Sequence, residues 1–138
     1  MSTERSACLF CKIYDGDEPT EVLYRDEDYI VFPDIKPAAK HHYLVITREH
    51  IRHAKQLTSK DKKIIEDMVR IGKEVLEERG GDLSDLRLGF HFPPFYSVGH
   101  LHLHVISPAS DMSFVSLLMF RNNSWRFVSP EYVKSHLW

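Results

Sequence analysis

The chain has 138 residues, 43% of them hydrophobic and 28% charged, a balance that fits one soluble globular domain. A net charge of −2 excludes the broad basic field on which general nucleic-acid binding depends, and no apolar run approaches the roughly 20 residues of a bilayer span. Cys8 and Cys11 are too close together to staple a domain. With no apolar leader in the opening MSTERSACLF, they point to a reducing compartment, cytoplasmic or nuclear. Residues 1–7 carry no pattern and are expected to be a flexible N-terminus.

Residues 8–16 read as a short helix or turn closed by Asp15-Gly16-Asp17. Residues 21–25 and 29–32 are short β-prone runs joined as a hairpin through Asp26-Glu27-Asp28. A proline-bearing connection, 34–40, leads to a strand at 42–47. Residues 59–79 form the clearest helix, capped by Thr58 or Ser59, with Ile64, Ile65, Met68, Val69, Gly72, Val75 and Leu76 mostly on one face. Gly80-Gly81 ends it. Two strands follow, 86–91 and 100–106, joined by a link whose Pro93 and Pro94 lack the N–H a regular ladder needs. The tail, from 114, holds an apolar run, a strand-like 125–128 and a final helix from Pro130. Strands around one long helix predict an α+β fold with a mainly antiparallel sheet.

Nine histidines are the unusual count. Three stand in His100-Leu101-His102-Leu103-His104, and in a strand alternate side chains share a face. The three imidazoles are therefore expected in a row, about 6.5–7 Å from one another, with Leu101, Leu103 and Val105 turned into the core. Three imidazoles on one face are costly to desolvate, so the row is expected to line a cleft. Such a row suits either metal binding or nucleophilic catalysis, with one ring attacking and its neighbours orienting it. A solvated edge strand with incidental histidines is the plainer alternative. Ser97, beside Gly99, would put a hydroxyl at the mouth of the same cleft. Cys8-x-x-Cys11 has the spacing of half a zinc site. His53, His91 and His136 are expected to have local structural roles.

The run His100-Leu101-His102-Leu103-His104-Val105-Ile106 matches the His-φ-His-φ-His-φ-φ motif (φ hydrophobic) of the histidine triad superfamily, and the chain resembles that family along most of its length. Cys8-Leu9-Phe10-Cys11-Lys12-Ile13 resembles the family's opening segment. Phe32-Pro33-Asp34-Ile35 and His42-Tyr43-Leu44-Val45-Ile46 resemble its nucleotide-pocket strands, and Arg48-Glu49-His50-Ile51 the step toward its helix. Within the family the chain looks most like the Hint branch. Gly89-Phe90-His91-Phe92-Pro93-Pro94-Phe95 resembles the third Hint subgroup of animals, which leans toward aprataxin. His91 falls where ordinary Hint proteins carry an Asn-Glu-Gly loop, which leaves the leaving-group preference open.

The resemblance implies a HIT-like fold, with one long helix and a short N-terminal helix, spanning 1–138 as a single domain with a variable segment at 109–138. It implies an adenosine 5'-monophosphoramidase that cleaves P–N bonds, and acyl-AMP as a further class, through a nucleotidyl-histidine on His102. By the same likeness His104 contacts the phosphate, and His100 and His42 orient the nucleophile. Asp34 binds the ribose hydroxyls, and Ile35, Leu9, Phe10, Ile13 and Phe32 form the purine slot, with Leu103 beside the phosphate site. Ser97 lies near the leaving group. No cofactor is required. In some members His50 and His100 complete the Cys8 and Cys11 pair as a structural zinc site. The expected partners are AMP-type purine nucleotides and a second copy in a homodimer, through the long helix or the tail, with neither membrane nor nucleic acid. Position 98 is valine, where the dinucleoside-polyphosphate branch carries glutamine, which favours the phosphoramidase. Two other readings stay open: aprataxin-like deadenylation, and a nucleotide-binding module without turnover.

Overall fold

Residues 8–16, 20–91, 98–121 and 127–137 are described by a computed structural model of the chain. Their strands are β1 (Tyr24–Arg25), β2 (Tyr29–Pro33), β3 (His41–Thr47), β4 (Arg87–His91), β5 (His102–Ser107) and β6 (Phe127–Val128). All neighbours pair antiparallel, in the order β1-β2-β3-β5-β4-β6. Helix α1 is Leu9–Asp15, α2 is Lys62–Glu78, α3 is Phe114–Met119 and α4 is Pro130–Ser135. The α+β class with an antiparallel sheet holds.

Period-two alternation divides the sheet into two unlike faces. Tyr29, Val31, Tyr43, Val45, Phe90, Leu103 and Val105 point to one, where they meet Ile65, Met68, Ile71, Val75 and Leu76 of α2. These α2 residues fall at helical spacing (65, 68, 71, 75 and 76), so the helix buries one stripe, and each large side chain there contributes about 1.5–3 kcal/mol of transfer energy. The helix sits close because position 72 is glycine: a Cβ there would lie 2.8 Å from Val105 Cγ2 and 3.3 Å from Val45 Cγ2. The helix predicted for 59–79 starts as a tighter turn, Ser59–Asp61. Thr58 and Asp61 cap each other's backbone there before α2 proper begins at Lys62.

The opposite face carries Ile30, Phe32, Leu44 and Ile46, packed under Phe10, Cys11, Ile13 and Tyr14 of α1. Farther along it, Ile106, Phe120 and Phe127 form a separate cluster with Ala109 and Met112. Between the two clusters lie the histidines. The strand predicted for 100–106 begins two residues later and runs His102–Ser107. Residues 98–100 form a bend closed by His100 N–H on Val98 O (2.9 Å), and the ladder with β3 begins only at His102, opposite Ile46. The apolar run at 114 becomes α3, which has no buried residue.

Candidate functional site

β3 and β5 lie side by side with Leu44 opposite His104 and His42 opposite Ile106, so His42 and His104 share a face one step apart. Their rings meet: His42 Nε2 is 2.9 Å from His104 Nδ1. The protons can be assigned from the backbone outward. Ala38 N–H donates to His42 Nδ1 (2.9 Å), so the His42 proton sits on Nε2 and is donated to His104 Nδ1. His104 then carries its own proton on Nε2, a buried donor with no acceptor among the described residues. Asp34 Oδ2 stands 3.4 Å from His42 Nε2, while Oδ1 takes the Lys36 N–H (2.8 Å) and closes the turn.

His102 is fixed by different means. Its Nδ1–H donates to the His100 carbonyl at 2.6 Å, leaving Nε2 as a bare lone pair. The ring lies 5.0 Å from His104 on one side and 5.0 Å from Phe10 on the other. Burial pushes His102 down to about 4, against the His100 carbonyl, which favours the charged form. Burial also lowers His42 to about 4, opposed by Asp34, and holds His104 well below the usual range. At neutral pH the cluster is a set of uncharged imidazoles with defined tautomers, one nucleophilic nitrogen and one free N–H.

His100 does not stand in the expected row. Because it precedes the strand, its ring turns away from His102 and His104 and is fully buried. Its Nε2–H donates to Thr47 O (2.7 Å), and its Nδ1 faces Cys8 Sγ (3.3 Å) and Cys11 Sγ (3.4 Å). His50 Nδ1 is 3.3 Å from Cys11 Sγ, and the four ligand atoms lie within 4.8 Å of one another. Neither sulfur is in a disulfide among the described residues. His100 thus reaches His102 through its carbonyl, not its imidazole.

The remaining predicted residues divide. Phe10 (6% exposed), Ile13 and Phe32 belong to the core under α1, whereas Leu9 is partly exposed. Ile35 does not pack with them: it is 94% exposed at the tip of the turn after β2. Leu103 is fully buried against α2 on the other face, because it alternates with His102 and His104, so only its backbone borders the site. Ser97 lies outside the described residues.

Two residues were missed. His91, expected to be only structural, lies 4.9 Å from His104 and donates Nε2–H to Met119 O (2.9 Å). Gly89 opposite His104 puts the residue two further on β4 on the histidine face, a signal that needs the strand pairing to be read. Phe120 lies 5.1 Å from His104, 5.3 Å from His42 and 5.1 Å from His91, and nothing in its sequence surroundings marks it.

The family described as Scavenger mRNA decapping enzyme C-term binding matches residues 7–119, and the chain belongs to the histidine triad superfamily. Adenosine 5'-monophosphoramidase HINT3 of Mus musculus is 44% identical over 135 residues, covering 96% of this chain and 82% of its own. The protein of the same name from Xenopus tropicalis is 43% identical over 127 residues, 91% of this chain and 83% of its own. A solved HIT family hydrolase from Clostridium thermocellum superposes with a TM-score of 0.68 at 34% identity, over 72% of this chain and 88% of that one.

Proposed function

We propose that this chain is an adenosine 5'-monophosphoramidase, a hydrolase that cleaves the P–N bond of AMP derivatives and, as a second class, acyl-AMP. The observation that carries the reading is the tautomer of His102: Nδ1–H held by the His100 carbonyl, Nε2 bare and neutral. His102 Nε2 attacks the α-phosphorus, the P–N bond breaks, and the amine departs with a proton drawn from solvent, to which the attacking water of the second step returns one. Water then attacks phosphorus, releases AMP and returns the lone pair to Nε2. His104 Nε2–H is placed to donate to a phosphoryl oxygen, and His42 holds His104 in that tautomer. Asp34 suits the ribose diol. Exposed Leu9 and Ile35 offer apolar surface to a purine. Ser97 serves the leaving-group side.

Mixing the protein with an adenosine 5'-phosphoramidate tests this directly. AMP release and an AMP adduct on His102 in the quenched enzyme support it. Tight AMP binding without turnover favours a nucleotide-binding module. Turnover confined to 5'-adenylated nucleic acid ends favours the aprataxin-like reading, to which a net charge of −2 gives no electrostatic help.

The Cys8, Cys11, His50 and His100 cluster fits zinc. Two sulfurs and two ring nitrogens lie within 4.8 Å of one another, and the Thr47 carbonyl accepts from His100 Nε2–H, so Nδ1 carries the lone pair that would ligate. Zinc would hold α1 to the 98–100 bend as a closed structural centre. No helix among the described residues is long and apolar enough to cross a membrane. A homodimer working in the cytoplasm or nucleus completes the reading.

A further inference from the structure

Helix α3 is built unlike the rest of the fold. Phe114, Val115, Leu117, Leu118 and Met119 are exposed by 39–76%, and no residue of the helix is buried. What docks it is the residue that follows: Phe120 is 6% exposed, and its ring touches those of His42, His91 and His104. Two hydrogen bonds to backbone carbonyls hold this end down, Arg87 Nη1 on Phe120 O (2.6 Å) and His91 Nε2–H on Met119 O (2.9 Å). A segment attached through one aromatic ring and two hydrogen bonds, with little other burial, opens more readily than the core does.

Against that ring, 5.1 Å away, stands His104, whose Nε2–H is buried and has no acceptor among the described residues. A buried donor without a partner marks an acceptor that arrives from outside. The rings around His104 are His42, His91, His102, Phe120 and Phe127, between 4.9 and 5.9 Å from its own. At the other end of the histidines stands Phe10, 5.0 Å from His102, on the side of the apolar slot. The site therefore runs from Phe10 at the purine end to Phe120 at the far end, with the nucleophile between them.

We propose that Phe120 and α3 form a lid over the phosphoryl and leaving-group end of the site. Phe120 withdraws to let the phosphoryl group reach His104 Nε2–H, and its ring limits the size of the amine that can leave. The lid rests on the phosphoramidase reading for its substrate, but its existence can be read without one.

The test uses the full chain and Phe120→Leu, Phe120→Ala and Arg87→Met. Two substrates are compared, the adenosine phosphoramidates of ammonia and of tryptamine. Shortening Phe120 is expected to raise kcat/KM for the tryptamine compound relative to the ammonia compound by about tenfold. A ratio unchanged in both Phe120 variants overturns the size limit. In parallel, the rate of deuterium exchange at the His104 ring C2, followed by peptide mass spectrometry, is expected to rise severalfold in Phe120→Leu and Arg87→Met. Equal rates in all three proteins overturn the lid. Should the intact chain cleave neither substrate, the phosphoramidase reading fails while the labelling still decides the lid. Should Phe120→Ala not fold, the leucine and Arg87 variants carry both measurements.

Discussion

The Nδ1–H of His102 is held 2.6 Å from the backbone carbonyl of His100, while the His100 ring points the other way, to two cysteine sulfurs. One residue thus does two jobs. Its main chain sets the tautomer of the proposed nucleophile, and its side chain joins the thiol cluster that pins α1. His102→Ala should therefore cut kcat for an adenosine 5'-phosphoramidate by at least about a thousandfold, as losing a nucleophile does. The fold should stay intact, because the ring is only partly buried. A variant that keeps a tenth of the intact rate would remove His102 from the nucleophile role.

The thiol and imidazole cluster predicts metal content. The purified chain should carry about one zinc per molecule by elemental analysis, and Cys11→Ser should lose it. Because that binding energy counts toward folding, the variant's Tm should fall by several degrees. An intact chain whose Tm is the same before and after chelation would leave the cluster without a structural role.

Acid should loosen the fold through the histidine cluster. A histidine in the unfolded chain titrates near 6.5, whereas burial lowers His42 in the folded state to about 4, against the pull of Asp34 and with the help of His91. His104, in contact with it, shifts the same way. Between these pH values the unfolded chain binds more protons, so stability is full above about pH 6.5 and declines as the pH falls toward 4. Tm measured from pH 7.5 to 4.5 should drop through that window, with a shallower slope in His42→Gln. A slope identical in the two proteins would show that His42 does not contribute.

Gly72→Ala pits two effects against each other. Alanine is the better helix former by about 1 kcal/mol. Its Cβ, however, would lie 2.8 Å from Val105 Cγ2, and overpacking of this kind costs about 1–3 kcal/mol. The collision should win, because Val45 crowds the same point and the sheet cannot retreat without disturbing β3 and β5. Chemical denaturation should show a lower midpoint, and a higher one would mean that α2 can slide away at little cost.

Much of this was legible in the chain itself. The stripe from Ile65 to Leu76 specified α2 and its buried face, and the alternation Leu103-His104-Val105 specified which ring faces the site. Both are local periodicities, set by backbone geometry that a sequence carries in full. The motif around His102 marked the histidine cluster, and the Cys8-x-x-Cys11 spacing marked half of the thiol cluster, whose His50 and His100 only the family resemblance supplied.

What only the tertiary structure decided concerns neighbours that no period encodes. The bend at 98–100 turned His100 from the row into the thiol cluster, since the ladder with β3 starts at His102. The pairing of β4 with β5 brought His91 against His104, and the docked end of α3 put Phe120 against three imidazoles. The tautomer chain depends on an Ala38 N–H that only the folded turn aims at His42. Spacing along one strand is fixed by covalent geometry, but contact between segments is fixed by which surfaces bury each other, and that is a property of the whole chain.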